Sequence, residues 1–300
     1  MDVHRSAAPA ATLVRVMASN SDNDSEPSHG APRTEKVQAD VNAHFDSSAS
    51  YWDGVYRGDS LQGAIYQRRQ AAVLEYVDAA GLVPGSRALE IGCGAGHLTI
   101  ELVERGLGVV AVDASQAMVE STAERAREAG LSDRVTVESA DVHALPYGDG
   151  EFALVVAVGV IPWLHSPAAA VAEISRVLRP GGELVLTCDN RARVISFTDP
   201  RAILALSPLR DMLVARRARA GLASSRLHYP HTIDDLLTES SLQPLAGRTV
   251  GFGPLSFLGR PIFSEARAMR VDARLQGLAD RDVPGVRSTG WHYIVRARRL

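Results

Sequence analysis

Between about residues 85 and 190 the chain alternates short apolar runs with longer stretches whose apolar positions recur at helical spacing. Short apolar runs bounded by turn residues predict strands buried on both faces, and the longer period predicts amphipathic helices. Strands are therefore expected at Arg87–Ile91, Gly108–Val112, Val135–Ser139, Phe152–Val158 and Glu183–Thr187. Helices are expected at His97–Glu104, from the capping Ser115 to about Glu128, where Ala129-Gly130 ends it, and at Ala168–Leu178 before Pro180-Gly-Gly182. Strands separated by helices need crossover connections, so the fold class is α/β: a Rossmann-like, doubly wound, parallel sheet. Ligands of such sheets sit beyond the C-terminal ends of the strands.

The flanks read differently. Residues 1–38 are rich in Ala, Ser, Asn, Asp and Pro without sustained period and read as a disordered tail, within which Met17 is a second candidate start. Residues 39–80 are helical and aromatic, with Phe45, Tyr51, Trp52, Tyr56, Tyr66 and Tyr76, and form a candidate N-terminal cap on a domain spanning 81–300. About 190–230 is an arginine-rich insertion with a helix expected at Leu209–Arg219. Beyond it, a capped helix is expected at Thr232–Leu242 with Asp234 and Asp235 in its first turn. Strands at Gly247–Gly253 and Gly290–Arg298 flank a helix from about Ser264 to Leu278.

Composition narrows the function classes. With 300 residues, 46% apolar, the chain is long enough for a full core. A net charge of −3 with no basic cluster argues against nucleic acid as a partner. Cys93 and Cys188 lie in separate elements without metal-ligand spacing, which points to a reducing cytoplasm and no metal. No apolar run has the length of a membrane span, and Ala7–Ala18, interrupted by Arg15, lacks a signal-peptide cleavage pattern.

Candidate chemistry concentrates in Ala88-Leu-Glu-Ile-Gly-Cys-Gly-Ala-Gly-His-Leu-Thr-Ile-Glu-Leu102. Glycines between a strand and a helix let a ligand approach backbone N–H groups. A dinucleotide fingerprint has Gly-x-Gly-x-x-Gly, whereas here Gly92, Gly94 and Gly96 alternate and His97 takes the sixth position. Glu90 at the strand's end would repel a pyrophosphate and suits a ligand ammonium group. Asp113, at the end of the next strand, is placed to accept from two ribose hydroxyls. Asp141 and Val142 end the third strand, where an adenine edge can be read.

In these segments the chain resembles the class I S-adenosylmethionine-dependent methyltransferases. Glu90-Ile-Gly-Cys-Gly-Ala-Gly96 resembles the family's first motif and Val112-Asp-Ala-Ser-Gln-Ala-Met118 its second; Asp141-Val142, Leu145-Pro146, Phe152 and Leu178-Arg-Pro-Gly-Gly-Glu-Leu184 follow in order. The resemblance implies a seven-stranded, mostly parallel sheet with an antiparallel last strand, and S-adenosyl-L-methionine as cofactor. It implies cofactor contacts from Glu90, Gly92, Cys93, Gly94 and Gly96 at the methionine end, Asp113 and Ala114 at the ribose, and Met118, Asp141 and Val142 at the adenine, with Val158 at the end of the fourth strand. Ala153 stands where the family often has Asp. The implied function is methyl transfer to oxygen, nitrogen or carbon of a small-molecule acceptor, in bacterial secondary, lipid or glycan metabolism. A nicotinamide-dependent oxidoreductase and a cofactor-binding module without methyl transfer are the alternatives.

Other residues are weighed singly. Cys93 reads as a small buried turn residue, not a nucleophile. Tyr51, Trp52 and Tyr56 resemble a lid over cofactor and substrate, although each can be ordinary packing. Arg68 and Arg69 can reach the cofactor carboxylate, a solvated helix face being the plainer reading. Asp189-Asn190 matches a magnesium-binding pair of catechol O-methyltransferases, but the further acid is missing from Val158-Gly-Val-Ile-Pro-Trp163, so a capping or substrate-facing role is expected. Among His143, His165, His228 and His231, His165 is the preferred candidate base because it follows the fourth strand. The insertion mixes Phe197, Ile203, Leu204, Leu206 and Leu209 with arginines, which suits an apolar or amphiphilic acceptor.

Overall fold

The computed structural model describes residues 41–43, 45–46, 52, 54–56, 58–200 and 226–300. The expected tail 1–38, Tyr51, the helix at Leu209–Arg219 and most of the insertion lie outside the described residues.

The chain runs α1 (Leu61–Ala79), β1 (Arg87–Ile91), α2 (His97–Glu104), β2 (Gly108–Asp113), α3 (Gln116–Glu128), β3 (Val135–Ser139), β4 (Phe152–Ala157), α4 (Pro167–Val177) and β5 (Leu178–Asp189). After a short helix α5 (Ile195–Thr198) come α6 (Pro230–Glu239), β6 (Leu242–Val250), a two-stranded ribbon β7 (Ser256–Phe257) and β8 (Arg260–Pro261), α7 (Glu265–Ala279) and β9 (His292–Arg299). Seven strands form one sheet in the order β3-β2-β1-β4-β5-β9-β6. The first five are mutually parallel, and β9, last in sequence, runs antiparallel to both β5 and β6.

Burial follows position in the sheet. Every residue of the central β4 is buried, whereas β3, at one edge, is half exposed and β6, at the other, is mostly so along its middle. One face packs Leu89, Val110, Phe152 and Leu184 against Val171 and Ile174 of α4 and Ile233 and Leu237 of α6. The other packs Ala88, Val109, Leu154 and Val185 against Val73 and Val77 of α1 and Leu98 and Leu102 of α2. Covering both faces is what an all-buried parallel strand requires, and it leaves the strands' C-terminal ends as the open side.

Several expected boundaries move, each for a local reason. α4 begins at Pro167, because Ser166 accepts from Ala169 N and proline suits the first helical position. α6 likewise begins at Pro230, so Thr232 is not its cap and Asp234 and Asp235 fall beyond its first turn; Asp234 accepts from the Tyr293 hydroxyl instead, at 2.8 Å. β5 starts at Leu178 rather than Glu183: Phe152 pairs with Leu178 and Leu154 with Glu183, the intervening Arg179–Gly182 bulging from the ladder. β6 ends at Val250 because Gly251 turns with φ +78, its α-carbon lying against Ile65.

Candidate functional site

The site starts from the turn after β1. Gly92 N and Cys93 N both donate to Val112 O of β2, at 2.8 and 3.0 Å, which anchors the turn to the neighbouring strand. Gly92, Gly94 and Gly96 have φ of +72, +56 and +79, a region costly for other residues. Their surroundings differ. A Cβ on Gly92 would stand 2.5 Å from Val160 Cγ2 and one on Gly96 3.0 Å from Thr122 Cα, whereas one on Gly94 would meet nothing within 4 Å. Two of the glycines thus allow close packing, and the third borders open space.

That space is a cavity of about 1370 Å³, counting its open mouth, beyond the C-terminal ends of β1, β2 and β4. Glu90, Gly92, Cys93, Gly94, Asp113, Ala114, Met118, Asp141, Val142 and Val158 all line it, as do Trp52 and Tyr56 of the cap. Gly96 does not line it: as the N-cap of α2 it packs on α3. His165 also lies off the lining. Its ring stacks on His143 at 3.7 Å between centroids, and His143 Nδ1 lies 2.7 Å from Asp141 Oδ1. His228 is buried beside β5, and His231 stacks on Tyr229 at the surface.

Electrostatics distinguish the acids. Glu90 is 2% exposed and its pKa is pushed up to about 8 by burial, against a hydrogen bond from Thr99 Oγ1 at 2.5 Å. It is therefore largely a neutral acid near pH 7, ready to ionise beside a cation. Asp113 is also raised by burial, while its carboxylate accepts from Gly94 N at 3.0 Å and Ser115 N at 2.9 Å. It ties the glycine turn to the start of α3. Burial would raise Asp141, yet its bonds from the His143 backbone and ring hold it below the usual range. Burial pushes the Cys93 thiol far up, so it is no thiolate.

A second group lines the same cavity: Phe45, Tyr66 and Arg69 of the cap side, with His97, Trp163 and Asp189. Of these, the sequence pointed to Arg69 for the cofactor carboxylate and to Asp189 for a capping or substrate-facing role, but not to His97 or Trp163. Phe45 meets Trp163 edge-on at 5.1 Å, Trp52 meets Tyr66 edge-on at 5.9 Å, and Asp46 accepts from Ser115 Oγ at 2.5 Å, so the cap closes against α3 and the segment after β4. Arg69 corrects the solvated-face reading. It is 5% exposed, donates to the Tyr56 hydroxyl at 2.7 Å and lies 4.5 Å over the Tyr66 ring. Its Nε, buried, has no hydrogen-bond partner among the described residues. Arg68, one residue off that stripe, instead pairs with Asp272 of α7 at 2.5 Å. The signal was present: Ile65, Arg69, Val73 and Val77 share the buried stripe of α1 at a spacing of four.

Asn190 is fully buried and spends its amide on the Ser288 and Gly290 carbonyls, each at 2.8 Å, while its Oδ1 accepts from Ala192 N. The pair Asp189-Asn190 thus holds loops together at Asn190 and faces the cavity at Asp189. Among the described residues no three or more His, Cys, Asp or Glu side chains are grouped to hold a metal ion. Nor is any helix among them long and apolar enough to cross a membrane.

Comparison with known proteins gives these positions a context. Residues 89–186 match a family model described as a methyltransferase domain. A 27-O-demethylrifamycin SV methyltransferase of Amycolatopsis mediterranei is 30% identical over 162 residues, which are 51% of this chain and 59% of that protein. The chain spans about a third to three-fifths of the length of the curated relatives it matches. Among solved structures, the magnesium protoporphyrin IX methyltransferase of Synechocystis, with bound S-adenosylhomocysteine, superposes with TM-score 0.60 at 18% identity, over 88% of this chain and 100% of that one. The (4+2)-cyclase SpnF superposes with TM-score 0.57 at 21% identity, over 86% and 94%. Both show the shared fold.

Proposed function

We propose that the chain, whose residues 89–186 match a methyltransferase domain, is a class I S-adenosylmethionine-dependent methyltransferase that transfers a methyl group from S-adenosyl-L-methionine to a small-molecule acceptor. The observation that carries this reading is one cavity lined together by Glu90, Gly94, Asp113 and Asp141 at successive strand ends. When bound, the cofactor supplies an electrophilic methyl group on a sulfonium; the protein's task is to orient, desolvate and exclude water.

The residues present fit that cofactor. Glu90 receives the ammonium, and Arg69, whose buried Nε is unpartnered among the described residues, receives the carboxylate. Gly94 admits the methionine chain where no Cβ intrudes. Asp113 takes the ribose hydroxyls, with Ala114 beside it, while Met118, Asp141 and Val142 border the adenine. Gly92, Cys93, Gly96 and Val158 shape the turn and the floor. The alternation of Gly92, Gly94 and Gly96, with His97 at the sixth position, weighs against a nicotinamide cofactor.

Trp52, Tyr56, Phe45 and Trp163 give the acceptor an aromatic enclosure, so an apolar or amphiphilic acceptor is favoured. The two buried, free thiols fit a cytoplasmic setting. The test is incubation with methyl-labelled cofactor and a panel of phenolic, polyketide and quinol acceptors. Label in a product, abolished by Asp113→Ala, supports the proposal. The second reading, a binding module whose chemistry is not methyl transfer, is favoured by the cyclase that shares this fold; binding of cofactor with no labelled product from any acceptor selects it.

A further inference from the structure

One buried Asp–His pair has no part in the cofactor contacts proposed above, and burial holds its histidine toward the neutral form. Asp189 ends β5, is 6% exposed and lines the cavity, while His292, first residue of β9, is 2% exposed with Nδ1 3.1 Å from Asp189 Oδ1. The two strands pair with Asp189 directly opposite His292, so the contact is set by sheet register. An ionised carboxylate can only accept, so the hydrogen lies on His292 Nδ1. Burial works against the charge, but the His292 hydrogen bond, with Arg193 and Arg69 nearby, holds Asp189 below the usual carboxylate range. The Tyr66 ring lies 5.5 Å from the histidine ring.

Placement suggests the task. The proposed cofactor residues follow β3, β2, β1 and β4 in spatial order, and β5 is the next strand of the sheet. Ala157 pairs with Leu186 at the end of the β4–β5 ladder, and beyond that pair Val158, Val160 and Asp189 all line the same cavity. Thr187 Oγ1 accepts from Gly159 N at 2.8 Å and fixes that alignment. Adjacent strands lie about 4.8 Å apart, so Asp189 lines the cavity one strand beyond the proposed cofactor residues.

Resting on the methyltransferase reading, we propose that the acceptor's reacting group is a hydroxyl and that Asp189, positioned by His292, takes its proton. The acceptor O–H bond breaks and its proton passes to Asp189 Oδ2. The oxygen's electron pair forms the new bond to the methyl carbon as the carbon–sulfur pair leaves with the neutral thioether. A free amine needs no such base, so the pair favours a hydroxyl over an amine. Asp189 is the catalytic group; His292 is a positioning residue.

Calorimetry with two nucleoside probes tests this without knowledge of the acceptor. Sinefungin has a carbon in place of the cofactor's sulfur and an ammonium in place of the transferable methyl group, and S-adenosylhomocysteine is neutral there. The wild-type protein should bind sinefungin more tightly by about tenfold, a modest figure for opposite charges a few ångströms apart. Asp189→Asn, which still accepts from His292, should bring the ratio to about one while homocysteine-probe affinity changes by less than about threefold. His292→Asn should restore most of the preference through its amide N–H, and His292→Leu should not. Equal binding of both probes by the wild type, or an unchanged ratio in Asp189→Asn, overturns the assignment and leaves the pair structural. Failure of both probes to bind would instead overturn the cofactor reading beneath it.

Discussion

Replacing Glu90 by Gln isolates a buried carboxyl whose ionisation is displaced far above its ordinary range. The carboxyl is 2% exposed and its pKa stands at about 8 instead of 4.5, chiefly because burial disfavours the anion. A folded-state pKa raised above the unfolded one means stability that is full below about pH 4.5 and lost as pH climbs to about 8. The loss across that window is on the order of 4–5 kcal/mol, which for a chain of this size lowers the melting temperature by roughly 10 °C. Glu90→Gln keeps the shape and an oxygen for Thr99 Oγ1 to donate to, and it removes the titration. Melts of both proteins without ligand, at several pH values from about 5 to 9, give the assay. The variant should match the wild type at the acid end and exceed it increasingly toward the alkaline end. Parallel curves would refute the placement of this acid in a dry environment.

The remaining predictions follow from the same site and its support. Titration with S-adenosylhomocysteine near pH 7, in two buffers of different ionisation heat, should show release of about one proton as Glu90 ionises beside the ligand ammonium, and none for Glu90→Gln. Gly92→Ala should cost the fold about 1–3 kcal/mol, because the new Cβ meets Val160 at 2.5 Å and φ is +72. Gly94→Ala should cost about 1 kcal/mol of stability yet weaken S-adenosylhomocysteine by tenfold or more, about 1.4 kcal/mol; urea melts and calorimetry on the two variants check the contrast. Phe152→Ala should lose about 3–5 kcal/mol in urea unfolding, since the ring is fully buried between Tyr147, at 5.1 Å edge-on, and the Arg87 guanidinium.

What was legible in the chain depended on how locally each feature is determined. β1, α2, α3 and β3 fall on their expected residues because strand period, turn glycines and the Ser115 cap all act within a few positions. The glycine turn and Asp113 were readable for the same reason: their partners are one strand away. Boundaries beyond Asp189 slipped where tertiary contacts decide, as where Gly251 packs on Ile65 or where Asp234 turns to Tyr293 instead of capping. The pairing of Asp189 with His292, 103 residues apart, depends on the register of an antiparallel strand, which no local pattern encodes. Arg69 was misjudged by residue type, since an arginine is seldom buried, although its place on the stripe of Ile65 and Val73 was visible. His165 shows the converse: a position after the fourth strand does not decide direction, and its ring turns to His143.

The central claim is that the cavity beyond β1 and β2 holds S-adenosyl-L-methionine, and calorimetric titration of the purified chain with S-adenosylhomocysteine and, separately, NADH tests it most directly. The account predicts binding of the first alone, weakened about a hundredfold in Asp113→Ala, which loses both the ribose contact and the carboxylate that holds Gly94 N and Ser115 N. Binding of NADH alone would contradict it.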